Sequence, residues 1–365
     1  MADSVHYSIE QLWQIAYDTL IMFGLSEEDA KIGAEVLNAS DIRGIDSHGV
    51  ARLEWYAPLI SEKAVDPKAE LTLLNETPAT AYLDANYGLG IVQAPKAMDI
   101  AIEKAKKCGI GLASVVHAGH FGIAGYYSIK AAEQGMIGFA AANSIPCVVP
   151  YGGVGKVLGN SPFSIAFPEG DDGRKPTMFD GACSTVAMGK VQEQLRKKEK
   201  LPEGWAIDKD GKPITEPIQV VQPDGGLTPF GGVKGYCIDV MLEMMSAVLP
   251  GSSTGADVGG FMTRGVKEDI GYFLLAIDAG QFRPMEDIRK DVAYYNDKLK
   301  ATRPATGVSE VFLPGELEFK TAARRITEGV DVKMAVIKDL LRISRQFGRL
   351  PKEADVDDYL ALYPQ

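Results

Sequence analysis

His48, Arg52 and Tyr56 follow one another at four-residue intervals in the stretch DSHGVARLEWY. On a helix beginning near Ser47, that spacing puts an imidazole, a guanidinium and a phenol on one face. A guanidinium can clamp a carboxylate through two parallel N–H donors. An imidazole titrates near neutral pH and can exchange a proton with an adjacent hydroxyl or carbonyl. The set reads as a device for a small acid, with Ser47, Arg52 and Tyr56 along the substrate and His48 moving the proton. The plainer reading is a charged, solvated helix face.

A second pair of imidazoles stands in HAGHFGIAGYYS. His117 closes an apolar run, where a core histidine accounts for it. His120 follows Gly119 at a strand end, the place where α/β proteins put functional groups. A metal centre built on His117, His120 and Asp180 is the rival reading, but after the two histidines no third ligand follows at a recognisable spacing and no cysteine is near them. Asp180, in MFDGACSTVAMGK, either caps a helix or orients an imidazole, and spacing leaves both open.

Phosphate-binding signals are sparse. GGVGKVLG, residues 152 to 159, lacks a GxGxxG between strand and helix with an acid about 20 residues on, and no Walker A sequence occurs. Lys234, in GGVKGYCIDV, follows glycines and precedes an apolar helical run. Helix amides plus a point charge suit a phosphate there, and a turn lysine is the alternative.

The elements that must position these residues are legible from caps and periodicity. Ser8 with Gln11, and Ser26 with Asp29, open two helices that end at Gly24 and Gly44. The stretch GVARLEWYAPLI predicts a third, with Pro58 near its end. LTLLNE, ATAYLDA, IGLASVVHAGH and MIGFAAANS read as strands, alternating with helices in GIVQAPKAMDIAIEKAKKCG and YYSIKAAEQG. That succession predicts an α/β layered core. RKKEKLPEGWAIDKDGKPITEP, charged and rich in Pro and Gly, reads as a long surface excursion. DVKMAVIKDLLRISRQFG predicts a terminal helix closed by Gly348.

The bulk numbers exclude several classes. With 365 residues the chain is long enough for two domains. A net charge of −11 argues against nucleic acid or an anionic membrane as the main partner. No apolar run is long enough to span a bilayer, and the start lacks the marks of a signal peptide. Cys108, Cys147, Cys183 and Cys237 are dispersed, as in a cytosolic protein with reduced thiols. A cytoplasmic enzyme is the expectation.

Nine ordered segments carry a closer resemblance: DIRGIDSHGVARL, GLGIVQAPKAMDIAI, GHFGIAGYYS, NSIPCVVPYGG, LGNSPFSIAFP, FDGACSTVAMGKV, LPEGWAIDKDGKP, GVKGYCIDV and FLPGE. Together they resemble the type-2 malate/L-lactate dehydrogenases, which include ureidoglycolate, sulfolactate and diketogulonate oxidoreductases. The resemblance implies an NAD(P)-dependent enzyme on a non-Rossmann α/β fold. It further implies a largely antiparallel sheet, a helical part made by the two chain ends, and a homodimer. His48 and His120 match the active-site histidines and Arg52 the carboxylate-facing arginine. Ser144, the segment Asp180, Gly181 and Ala182, Lys234, and the segment Pro314, Gly315 and Glu316 match positions that contact the cofactor. Gly181 stands where methionine is usual, Cys237 where glycine is usual, and GNSP replaces GTNP.

These readings converge on expectations. Residues 1–120 and 305–365 form the substrate and dimerisation part, and residues 121–304 bind the cofactor. The reaction moves hydride between NAD or NADP, with NAD favoured, and C2 of a 2-hydroxy or 2-keto acid, malate/oxaloacetate first. L-lactate, ureidoglycolate and sulfolactate are other family substrates. The rivals are a metal-dependent hydrolase or lyase and an inactive binding protein on the same scaffold. No metal is expected.

Overall fold

The computed structural model describes residues 3–259 and 266–364. After the short strand β1 (Ser4–Tyr7), Ser8 caps helix α1 (Ile9–Met22) in a reciprocal box with Gln11. Ser26 accepts from the Asp29 amide to start α2 (Glu27–Ile42). Gly24 and Gly44 close these helices at φ +96° and +83°, a conformation that favours glycine.

The chemistry-bearing joint departs from the expected single helix. Asp46–His48 and Val50–Arg52 form two 3₁₀ turns, and α3 spans Leu53–Ser61 with Pro58 inside it. The break lies at Gly49. The buried Asp41 carboxylate accepts from the Val50 amide at 2.9 Å, and a Cβ on Gly49 would fall 1.7 Å from an Asp41 oxygen. His48 and Arg52 therefore meet across a kink and not along one helical face.

The middle of the chain builds one sheet. Strands β2 (Thr72–Glu76) and β3 (Thr80–Asp84) precede α4 (Gly90–Cys108) and β4 (Ile110–Ala118). Next come α5 (Ala124–Ala132), β5 (Met136–Ala142), β6 (Phe163–Phe167) and β7 (Thr177–Gly181). An excursion follows: α6 (Met188–Lys197), β8 (Ala206–Ile207), α7 (Pro217–Val221) and β9 (Gly226–Leu227). After α8 (Val233–Glu243), which runs into a π-turn at Met244–Val248, β10 (Ile270–Asp278) returns to the sheet. Helices α9 (Met285–Lys300) and α10 (Glu316–Glu328), strand β11 (Val330–Lys333), and helices α11 (Met334–Gln346) and α12 (Val356–Leu360) complete the chain.

The seven strands lie in the order β2-β3-β4-β10-β5-β6-β7, with β3 and β4 parallel and the other neighbours antiparallel. This is an α/β fold on a mostly antiparallel sheet. Because β4 pairs with β10, the sheet spans residue 120, where the sequence suggested a boundary. Helices α4 and α5 cover the middle strands through an alanine-rich layer that includes Ala97, Ala101, Ala131, Ala140 and Ala276. Small side chains there let helix and sheet backbones approach closely.

The chain ends form the helical part. Strand β1 pairs with β11, and one core joins Leu12, Leu20, Leu37 and Leu53 to Ile337, Leu340 and Tyr359. That pairing takes Asp331–Lys333 out of the helix predicted from the 3.6-residue period, which starts instead at Met334. The expected surface excursion is also more ordered than a loop. It has its own core of Val191, Leu201, Ala206, Ile214, Val220 and Leu227.

Candidate active site

Two imidazoles face each other where the helical part meets the sheet. The rings of His48 and His120 lie 5.4 Å apart, centre to centre. His48 comes from the turn after α2, and His120 from the connection between β4 and α5. Each ring is held by its neighbours in a definite tautomer.

At His120, the Tyr56 hydroxyl lies 2.9 Å from Nδ1, and the Gly122 backbone N–H donates to the same atom at 3.4 Å. A backbone amide can only donate, so Nδ1 carries the lone pair and the neutral ring keeps its proton on Nε2. At His48 the arrangement is reversed. Arg52 Nη2 donates to Nε2 at 3.5 Å, which leaves Nδ1–H to donate to Ser47 Oγ at 2.9 Å. One ring presents a hydrogen at Nε2 and the other a lone pair.

Burial and then the Arg52 charge lower the His48 pKa to about 3. Burial, Arg52 and His48 together hold His120 well below the ordinary imidazole value. Both rings are neutral at physiological pH. Arg52 is itself buried, stacked 4.0 Å over the Trp55 ring, and its Nε has no hydrogen-bond partner among the described residues. A buried guanidinium with an unused donor suits an incoming carboxylate.

Tyr56 is 1% exposed, and its hydroxyl is spent on His120. Its phenol oxygen faces the imidazole. Sequence reasoning missed Glu268 altogether. This buried carboxylate accepts from the His120 amide at 2.7 Å. Burial raises its pKa to about 7, against the pull of that amide and of Arg52.

The other expected residues lie apart from the imidazoles. His117 bonds Asp84 Oδ2 at 3.1 Å and stacks on Tyr87. Asp180 accepts from the Gly125 amide at 2.9 Å, so it caps the start of α5 from a neighbouring strand, and it bonds no imidazole among the described residues. Burial lifts Asp180 to about 6, against that amide and Arg43. The three groups of the metal reading therefore point to three different partners. Among the described residues no cluster of three His, Cys, Asp or Glu side chains could hold a metal ion.

The residues matched to a cofactor gather along the β7 side of the sheet. Ser144 Oγ donates to Asn160 Oδ1 at 2.7 Å, and Asn160 O accepts from the Cys183 amide, next to Ala182. Pro314 O accepts from the Met178 amide at 3.1 Å, which lays Pro314, Gly315 and Glu316 beside the strand carrying Asp180 and Gly181. Glu316 is tied inward, to Lys300 at 2.9 Å and the Leu313 amide at 2.8 Å. Burial pushes its pKa up, but these partners and Lys320 outweigh it and hold the group at about 2.

Lys234 is exposed and is the second residue of α8, inside the first turn and not ahead of the helix. Gly232 precedes that helix at φ +66° without a side-chain cap, so its first amides stay available. Beside it opens a cavity of about 590 Å³ lined by Tyr151, Gly152, Thr185, Thr228 and Gly231 among others. Added Cβ atoms on Gly152 and Gly231 would meet nothing within 4 Å. From Thr185 the chain leads within four residues to Gly189, where a Cβ would lie 3.7 Å from Ser47 Oγ. Free helix amides, a cation and an open glycine cradle fit a dinucleotide phosphate.

A family model for malate/L-lactate dehydrogenase matches residues 7–341. The L-sulfolactate dehydrogenase of Methanocaldococcus jannaschii is 38% identical over 95% of this chain and 97% of its own length. The malate dehydrogenase of Pyrococcus abyssi is 36% identical over 93% of this chain and 94% of its own. The crystal structure of malate dehydrogenase from Entamoeba histolytica superposes with a TM-score of 0.91 at 32% identity, covering 95% of this chain and 99% of that one. No helix among the described residues is long and apolar enough to cross a membrane. The chain belongs to the malate/L-lactate dehydrogenase family, oxidoreductases of 2-hydroxy acids that generally use a nicotinamide cofactor.

Proposed function

We propose that this protein interconverts malate and oxaloacetate with NAD(H), or NADP(H) as the less favoured cofactor. The observation that carries the reading is the buried Arg52 guanidinium 3.5 Å from the His48 imidazole, with His120 facing it. Arg52 receives the C1 carboxylate. Once that carboxylate draws the Arg52 N–H away, the Nε2 lone pair of His48 takes the C2 hydroxyl proton in oxidation and returns it in reduction. His120 donates from Nε2–H to the same oxygen, held in that tautomer by Tyr56 and Gly122.

Substrate charge completes the proton chemistry. A carboxylate on Arg52 cancels the field that depresses both imidazoles, so binding raises their basicity at the moment a proton must move. When bound, the nicotinamide supplies or accepts the hydride. Lys234 and the first amides of α8 would hold its phosphates, and Ser144, Asp180–Ala182 and Pro314–Glu316 would flank it. Residues 1–120 and 305–365, helical and mixed α/β, carry substrate residues and the dimer contact in this reading, and 121–304 most of the cofactor residues. The enzyme works as a cytoplasmic homodimer. The ureidoglycolate dehydrogenase (NAD(+)) of Escherichia coli, 33% identical over 89% of this chain, supports NAD.

A second substrate has a specific observation in its favour: the 38% identity to an L-sulfolactate dehydrogenase. Sulfolactate presents the same C2 chemistry with a sulfonate in place of the second carboxylate. Loss of NADH absorbance with oxaloacetate, 3-sulfopyruvate and pyruvate, repeated with NADPH, tests both. Oxaloacetate should give the highest kcat/KM, and faster turnover of 3-sulfopyruvate would transfer the assignment. No turnover of any 2-keto acid would overturn the dehydrogenase reading.

A further inference from the structure

Glu268 lies outside every segment that carries the family resemblance, yet its carboxylate bonds the main chain of His120. It is 6% exposed and its Oε2 accepts from the His120 amide at 2.7 Å. The contact leaves no spare room, since a Cβ on Gly119 would fall 2.7 Å from that oxygen. The Tyr272 hydroxyl secures the Gly119 carbonyl from β10, so the main chain leading into His120 is held on both sides.

The backbone around this contact is strained. His117 and Asp269 adopt φ +51°, a conformation that non-glycine residues rarely take. His117 lies three residues before His120, and Asp269 directly follows Glu268. Each is pinned: His117 O accepts from the Tyr87 amide at 2.7 Å, and Asp269 Oδ2 accepts from Ser253 Oγ at 2.6 Å. Strain of this kind persists where the surroundings over-determine it, and it concentrates at functional sites.

We propose that Glu268 is a positioning residue of the proton-transfer site, fixing the His120 main chain through its amide and offsetting the Arg52 charge. The inference rests on the dehydrogenase reading for its catalytic consequence, but not for the contact itself. The charged and titratable groups facing Glu268 are Arg52 and Tyr56 from the helical part, His120 from the β4–α5 connection, and Tyr272 from β10. Arg52 is the cation among them. A neutral residue at 268 would leave its charge uncompensated beside two imidazoles, lowering their basicity further.

The test uses the full chain with Glu268→Gln and Glu268→Ala, read by amide NMR and by kinetics. In wild type the His120 amide proton should resonate downfield and titrate with the carboxylate. In Glu268→Gln that titration should vanish while the fold holds. With oxaloacetate and NADH, kcat should drop roughly tenfold in Glu268→Gln and further in Glu268→Ala, as expected for one charge-assisted hydrogen bond. The KM for NADH should stay unchanged. A His120 amide indifferent to both pH and Glu268→Gln would overturn the assignment whatever the activity. Wild-type inactivity toward every 2-keto acid would sink the dehydrogenase reading instead, and the amide titration would still decide Glu268.

Discussion

Tyr56 and His120 are joined through a 2.9 Å contact between the phenol oxygen and Nδ1, although 64 residues separate them in the chain. The contact couples the helical part to the sheet and selects the tautomer of the ring. Burial, the largest influence on Tyr56, raises its pKa, so the phenol stays protonated and donates.

Tyr56→Phe should therefore act on the proton and not on substrate affinity. The Gly122 amide alone, at 3.4 Å, holds Nδ1 weakly. We expect kcat to fall by about 3- to 10-fold, the worth of one hydrogen bond, with little change in KM for the keto acid. Nitrogen-15 shifts of His120 should change from a single tautomer to a mixture. A large rise in KM with unchanged kcat would restore Tyr56 to the substrate side.

Arg52 serves two purposes that substitution can separate. Arg52→Lys keeps the charge but loses the planar fork, so kcat/KM for the keto acid should fall by about 10²-fold while the pH profile keeps its shape. Arg52→Gln removes a charge that lowers both imidazoles, so their pKa values should rise and the acid limb of kcat/KM for malate oxidation should move to higher pH. Steady-state kinetics from pH 5 to 9 would show it. Identical profiles in the two variants would contradict the electrostatic role.

Local features of this fold were legible because their causes are local. Ser8 with Gln11 and Ser26 with Asp29 mark helix starts by hydrogen bonds spanning three residues, and each forms as read. His48 and Arg52 stood out by type and spacing, and they meet, though across a kink that Asp41 imposes from nine residues upstream. The strand order was not legible, because β10 enters between β4 and β5 from over a hundred residues away. Glu268 escaped for the same reason. In GVKEDIG it looks like one charge among several in a loop, and its partner His120 is 148 residues distant.

Asp41 makes a prediction about stability. Burial raises its carboxyl from 3.8 to about 8, with the Val50 amide opposing. A folded-state pKa above the unfolded value means that this group's contribution is fully present below about pH 4 and is lost as pH rises through 8. Asp41→Asn keeps an acceptor for Val50 and removes the titration. Relative to wild type, the variant should gain a few degrees in Tm between pH 5 and pH 9. Thermal unfolding at both pH values decides it, and an equal Tm difference at the two would show that Asp41 does not titrate there.

Lys234 tests the cofactor side independently of the imidazoles. It stands in the first turn of α8, where the uncapped start after Gly232 leaves amides without intrahelical partners. Those amides and the helix dipole favour an anion, and the lysine adds a mobile point charge beside the cavity at Gly231 and Gly232. Lys234→Met keeps the aliphatic stem and removes the cation. NADH binding should weaken by about 1–3 kcal/mol, the range for a hydrogen bond to a charged group. The ratio of kcat/KM values for oxaloacetate and 3-sulfopyruvate should hold, since both substrates meet Arg52 and not this helix. Fluorescence titration of NADH gives the first quantity and competition kinetics the second. Equal NADH dissociation constants would make Lys234 a solvated helix residue and move the phosphate site elsewhere in the cavity.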